Sequence, residues 1–124
     1  MVDKKIINVL VAEDNEINQR LISTILKKLE VTFDIVNDGA ECVEYALKNS
    51  YDIIFMDIQM PNMNGYEATK IIRQKNMSIP IISISANSFE DDVKKGKDIG
   101  MSDYITKPYS KNEIENKINQ WVKK

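Results

Sequence analysis

The residues that could do chemistry in this chain are few. They are the acidic pair Glu13-Asp14, then Asp57, Ser85 and Lys107, each at or just beyond the end of a short apolar run. Three carboxylates brought close together repel, and one of them would ordinarily stay protonated. A hard divalent cation removes that cost, and Mg²⁺ prefers carboxylate, carbonyl and water oxygens while keeping positions open for phosphate. Lys107 adds a fixed positive charge suited to a phosphoryl oxygen, and the Ser85 hydroxyl can hydrogen-bond the same group. The set points to phosphoryl transfer onto or off a carboxylate. No glycine-rich phosphate loop accompanies it, so a bound nucleotide is not expected. Taken singly, plainer roles suffice: Asp14 could cap a helix, and Lys107 could be a solvated surface lysine. The case for a site rests on whether the fold gathers these side chains.

The sequence reads as strand and helix in alternation, five times, with no internal repeat and no linker. Ile6 to Ala12 is a nearly continuous apolar run, the mark of a strand buried on both faces. A helix then runs to about Glu30. Val31 to Val36 is a second strand, and Asp38 with Glu41 opens a second helix in the manner of a capping box. Asp52 to Met56 is a third strand ending at Asp57. After the loop from Pro61 to Gly65, Asn64 and Glu67 open a third helix. Pro80 to Ser85 is a fourth strand, Ser88 and Asp91 open a fourth helix, and Gly100 closes it. Met101 to Thr106 is the fifth strand. Ser110 and Glu113 cap a last helix striped with Ile114, Ile118, Trp121 and Val122. This alternation predicts an α/β fold, a doubly wound five-stranded parallel sheet with helices on both faces. Ligands of such sheets bind beyond the carboxyl ends of the strands. All the chemical residues fall there: Glu13-Asp14, Asp57, Ser85-Ala86 and Lys107-Pro108.

Composition narrows the function. At 124 residues and 14.3 kDa, with 43% hydrophobic and 29% charged residues, the chain suits one soluble globular domain. It has no histidine, which excludes a His-based triad, an HExxH zinc site and a histidine phosphocarrier. One cysteine, Cys42, excludes an internal disulfide and a multi-cysteine zinc cage, and reads as a small buried hydrophobe. A net charge of −2 argues against a broad nucleic-acid surface. No apolar stretch reaches the length of a membrane span, and the first residues are no signal peptide, so a cytoplasmic setting is expected.

Two helices carry further signals. In the first, Ile17, Leu21, Ile22, Ile25, Leu26 and Leu29 spread over about half the circumference, wider than the stripe of about 100° that a core-facing helix needs. The excess suggests either an apolar edge at the surface near the acidic site, able to dock a phosphodonor helix, or simply a broad buried face; the pattern does not say which residues would form the edge. The fourth helix is weakly specified: its anchors are chiefly Phe89, Val93 and Ile99, and Gly96 sits inside it at a cost of about 1 kcal/mol relative to Ala. That suits either a moving element or simply a poor helix. Met60 and Met63 flank the loop after Asp57 and are read as loop packing only.

Glu13-Asp14, the segment Met56-Asp57-Ile58-Gln59-Met60-Pro61-Asn62-Met63-Asn64-Gly65, the pair Ser85-Ala86 and Asp103-Tyr104-Ile105-Thr106-Lys107-Pro108 together resemble the response-regulator receiver domain of two-component phosphorelays. The resemblance covers essentially the whole length, residues 1–124, with a core of about 6–122. It implies a flavodoxin-like sheet of order 2-1-3-4-5. It implies Asp57 as phosphoacceptor, and Mg²⁺ held by Asp14, Asp57, the Gln59 carbonyl and Glu13, the last directly or through water. Ser85 would bind the phosphoryl group, Lys107 would pair with Asp57 and then with a phosphoryl oxygen, and Tyr104 would be an aromatic switch. The Lys107–Pro108 bond is often cis in such domains. Gln59 and Asn87 occupy positions that modulate dephosphorylation in the family. Phosphorylation would draw Ser85 inward, let Tyr104 turn in, and reshape the face of the fourth helix, fifth strand and fifth helix.

The implied partner is a histidine kinase or histidine phosphotransfer domain. The motifs look most like those of receivers in hybrid sensor kinases, so other domains of a longer parent are also candidates. Such a domain is not an enzyme beyond promoting its own phosphorylation and dephosphorylation, and contacts neither nucleic acid nor membrane directly. A receiver-like module that works without phosphate is the alternative, and the intact acidic set argues against it. A flavodoxin is disfavoured because Glu13-Asp14 would repel the cofactor phosphate, and an aspartyl-phosphate phosphatase because Asp57-Ile58-Gln59 lacks the Asp-x-Asp pattern. With no histidine, the phosphoryl donor must lie in another chain, another domain or a small acyl phosphate.

Overall fold

Strands form where the apolar runs stand, each one or two residues shorter at its start than the sequence suggests. The computed structural model describes residues 6–75, 77–86 and 90–122. Strands β1 (Asn8–Ala12), β2 (Thr32–Val36), β3 (Ile53–Asp57), β4 (Ile81–Ser85) and β5 (Asp103–Thr106) alternate with helices α1 (Glu16–Lys28), α2 (Gly39–Lys48), α3 (Gly65–Gln74), α4 (Glu90–Ile99) and α5 (Lys111–Trp121). All pairings are parallel, in the order β2-β1-β3-β4-β5. The expected fold class and strand order are therefore present.

The shortened starts have local causes. Asp52 does not join β3; its carboxylate accepts the Asn8 N–H at 2.8 Å and so ties the entries of β1 and β3 together. Met101 serves the end of α4 rather than β5. Its N–H reaches back to the Gly96 carbonyl at 2.8 Å while Gly100 adopts a φ of 122°. That six-to-one closure over a left-handed glycine finishes the helix and delays the strand.

Alternation along the strands makes two cores. Val9, Val11, Ile53, Phe55, Ile82, Ile84 and Ile105 pack against Ile22, Ile25 and Leu26 of α1 and Ile114 and Ile118 of α5. On the other face, Leu10, Ala12, Ile54, Met56 and Ile81 meet Cys42 and Ala46 of α2, Ala68 and Ile72 of α3, and Met101. Cys42 is fully buried, and burial pushes its thiol up to about 12, as befits an inert core residue. Met60 and Met63 pack on this second core from the loop, as expected.

Capping residues set the helix starts. Asn64 with Glu67, and Ser110 with Glu113, form reciprocal capping boxes. At α2 the Asp38 side chain accepts from the Glu41 N–H at 2.8 Å. The Glu41 carboxylate turns instead to the Asn37 N–H at 2.7 Å, so the box expected there is displaced by one residue. The cap of α1 is Asn15, which accepts from the Asn18 N–H, and α1 ends at Lys28 with Glu30 at φ 59°. Capping therefore does not occupy Asp14.

Gly96 is more than a weak point in α4. A Cβ there would lie 3.0 Å from the Met101 sulfur, so a larger residue would push that side chain aside by a few tenths of an ångström. Polar contacts hold α4 to α3: the Tyr66 hydroxyl donates to the Asp92 carbonyl at 3.3 Å, and the Lys95 ammonium lies 4.6 Å from the Tyr66 ring centre. Val93 and Ile99 are half-buried. Asn87, Ser88, Phe89 and the side chain of Asp91, on which sequence expectations rested, lie outside the described residues.

Candidate functional site

The parallel register brings the strand ends into line. Ala12 sits beside Val36 and Met56, Asp57 beside Ile84, and Ser85 beside Thr106. At these ends and just beyond them, the expected groups surround an open cleft of about 300 Å³ lined by Glu13, Asp14, Asn15, Asn18, Asp57, Gln59, Ser85, Ala86 and Lys107. Every site residue named from the sequence is there except Tyr104, which is on β5 and 40% exposed, facing away from the core.

Within the cleft, one carboxylate oxygen from each of Glu13, Asp14 and Asp57 lies within 4.8 Å of the others. Glu13 is 1% exposed and Asp57 5% exposed, while Asp14 faces solvent. The Lys107 ammonium lies 3.0 Å from Asp57 Oδ2 and 3.3 Å from Glu13 Oε1. Asp57 Oδ1 accepts the Gln59 N–H at 3.1 Å. The Lys107 N–H donates to the Ser85 carbonyl at 2.7 Å, joining the ends of β4 and β5 at the site. Lys107–Pro108 is cis, as the motif suggested. Gly65 closes the floor: its N–H donates to the Ile58 carbonyl at 2.9 Å, and a Cβ there would overlap the Asp57 carbonyl oxygen. The loop can fold over the end of β3 only because that residue has no side chain.

The charges are in conflict. Three carboxylates meet one ammonium. Burial pushes the Glu13 carboxyl up to about 7, and the hydrogen bond and charge of neighbouring Asp57 push the same way, against the Asn15 N–H and Lys107. Burial alone would lower Lys107, but the hydrogen bond and charge of Asp57, joined by Glu13, outweigh it and raise the ammonium, which is therefore charged at neutral pH. Glu13 Oε1 is buried without a hydrogen-bond partner. An all-oxygen, acid-rich cleft with a buried carboxylate oxygen that accepts no hydrogen bond and a solvent-facing carboxylate fits a hard divalent cation.

Sequence reasoning missed several supports. Glu13 Oε2 accepts the Asn15 N–H at 3.2 Å, and Gln19 of α1 donates to the Glu13 carbonyl. Tyr109, just past the Lys107-Pro108 pair, is buried against the core below. Its position two residues after Lys107 is the one signal that could have found it.

Residues 9–119 match the family model of the response regulator receiver domain. The chain belongs to that family, and is a receiver domain of two-component phosphorelay signalling. It is 36% identical over 134 aligned residues to hybrid signal transduction histidine kinase B of Dictyostelium discoideum, a match covering 98% of this chain. The chain spans only 7% of that kinase's length. It is 34% identical to the receiver domain of the sensor histidine kinase PA1611 from Pseudomonas aeruginosa, with a TM-score of 0.87 over 94% of this chain and 98% of that one. That structure has a magnesium ion coordinated in its active site cleft. A TM-score of 0.88 at 32% identity, over 94% of this chain and 89% of the other, relates it to a Saccharomyces cerevisiae structure. There the histidine phosphotransfer signalling protein Ypd1 is bound to the receiver domain of its downstream response regulator Ssk1. Among the described residues, no helix is long and apolar enough to cross a membrane.

Proposed function

We propose that this domain is a phosphoacceptor switch that takes a phosphoryl group onto Asp57 from a phosphohistidine partner. The observation that carries the reading is the setting of Asp57. It is a nearly buried carboxylate at the head of a cleft, with one oxygen on the Gln59 amide and the other on the Lys107 ammonium, and two further carboxylates alongside. A bound Mg²⁺ would neutralise the acidic cluster and draw charge from the phosphoryl oxygens, held by Asp14, Asp57, the Gln59 carbonyl and Glu13. Asp57 supplies the nucleophilic oxygen. As its bond to phosphorus forms, the bond from phosphorus to the donor imidazole nitrogen breaks. Lys107 moves its charge from the carboxylate to a phosphoryl oxygen, and the Ser85 hydroxyl donates to another.

Ser85 is joined to the end of β5 through its carbonyl, which supports a path from the site to Tyr104 and the face of α4, β5 and α5. The likeness to the Ssk1 receiver and to hybrid kinases supports a histidine phosphotransfer domain or histidine kinase as donor. The whole chain, with a core of about residues 6–122, acts as one receiver unit in this reading. Incubation with a small acyl phosphate and Mg²⁺ should add one phosphoryl group, and none should be added when the metal is chelated beforehand or in Asp57→Asn. Persistent labelling of that variant would sink the assignment.

A further inference from the structure

Tyr109 is 7% exposed, yet its hydroxyl has no hydrogen-bond partner. An unpaired buried hydroxyl is destabilising, and phenylalanine would fill the same space without that cost. The other buried, unpaired side-chain atom among the described residues is Glu13 Oε1. Their needs are complementary. The hydroxyl is a donor without an acceptor, and the carboxylate oxygen has the Lys107 ammonium at 3.3 Å as an ion-pair partner but accepts no hydrogen bond.

The sheet places both groups on one side. Val9, Val11 and then Glu13 alternate onto the face where Ile53, Phe55 and then Asp57 also point, and Tyr109 packs in the cluster made by Val9, Val11, Phe55 and Ile114. Tyr109 is not among the residues lining the cleft, so it approaches the acids from the core rather than from solvent. Burial raises its hydroxyl, and the charges of Glu13 and Asp57 raise it further, so it stays protonated and able to donate.

We propose that Tyr109 is a positioning residue for the metal site: its hydroxyl donates to Glu13 Oε1 through one enclosed water and so fixes that carboxylate for the cation. A buried water typically makes about three hydrogen bonds, and the Lys107 ammonium beside Glu13 Oε1 provides the remaining partner. The other carboxylate oxygen is already fixed by the Asn15 N–H, so Tyr109 completes the hold on Glu13. The inference rests on the Mg²⁺-binding reading of the cleft.

The test is a calorimetric titration of MgCl₂ into the full chain and into Tyr109→Phe, with the Asn15 amide resonance as a reporter of Glu13. The variant should keep its fold by circular dichroism and bind Mg²⁺ about tenfold more weakly, the lower end of what losing an outer-shell partner costs. Its Asn15 resonance should shift in the metal-free state. A variant with unchanged Mg²⁺ affinity, an unmoved Asn15 resonance and equal or greater thermal stability would show the hydroxyl to be a mere orphan and overturn the proposal. Failure of the unsubstituted chain to bind Mg²⁺ would overturn the reading of the cleft itself, a separate result.

Discussion

Lys107 has two roles that oppose each other. It holds Asp57 and Glu13 through contacts at 3.0 and 3.3 Å, and in doing so competes with any cation for the same oxygens. Lys107→Ala should therefore bind Mg²⁺ more tightly, by about fivefold, which is the ~1 kcal/mol that a unit charge at about 4 Å is worth in a water-rich setting. The same variant should be phosphorylated more slowly by an acyl phosphate, because no ammonium meets the transferred group. Calorimetry and labelling kinetics check the two halves separately. At this scale Glu13, Asp14, Asp57, Ser85 and Lys107 were legible because each ends an apolar run, and a parallel sheet aligns such ends. Tyr109 was not. An aromatic residue after a proline looks like ordinary packing, and nearness to Lys107 in sequence alone does not mark it until the fold shows its unpaired hydroxyl buried.

At the scale of elements, β5 and α5 are joined through Asp103. Its Oδ2 accepts from the Lys117 ammonium at 2.7 Å and from the Trp121 indole N–H at 3.0 Å, and its Oδ1 from the Tyr104 N–H at 2.8 Å. Partial burial alone would raise this carboxyl, but the bonds from Lys117, Trp121 and Tyr104 outweigh it and hold it below the usual range. A depressed carboxyl contributes stability that is complete above its unfolded value of about 3.9 and fades as the pH falls through the folded value. Asp103→Asn should cost about 1 kcal/mol at neutral pH. Melts taken at descending pH should show the difference intact above about pH 4 and shrinking below it. Equal stability at pH 7 would contradict the account. Element starts and stops were legible from Asn64-Glu67, Ser110-Glu113 and Gly100, because caps are local chemistry. The hold on α4 was not. Tyr66 and Lys95 are 29 positions apart in the chain, and Gly96 gains its meaning only from Met101 against it.

Over the whole molecule, as far as the described residues go, α1 leaves an apolar edge outside the two cores. Ile22, Ile25 and Leu26 are buried in the sheet, while Ile17 is 76% and Leu21 42% exposed, one turn apart on α1. This is the surplus that the over-wide stripe predicted, and the fold assigns it to particular residues. It adjoins the cleft through Asn15 and Asn18 at the start of the same helix. Replacing Ile17 and Leu21 together by serine should leave Mg²⁺-dependent labelling by a small acyl phosphate unchanged. It should slow transfer from a phosphorylated histidine phosphotransfer domain about tenfold or more, since each apolar side chain buried at an interface is worth about 1.5–3 kcal/mol. Equal transfer rates would remove this edge from the docking surface. The sheet order was legible because buried parallel strands read as unbroken apolar runs. Which helix residues remain outside depends on how far each helix is rotated over the sheet, and periodicity alone does not set that angle.

The central claim is that Asp57 receives the phosphoryl group. Phosphorylating the chain with a small acyl phosphate and Mg²⁺, then mapping the modified residue by peptide mass spectrometry, tests it directly. A single phosphoryl group on Asp57 is expected. A group on Asp14, Ser85 or any other residue, or none at all under conditions where Mg²⁺ is bound, would contradict it.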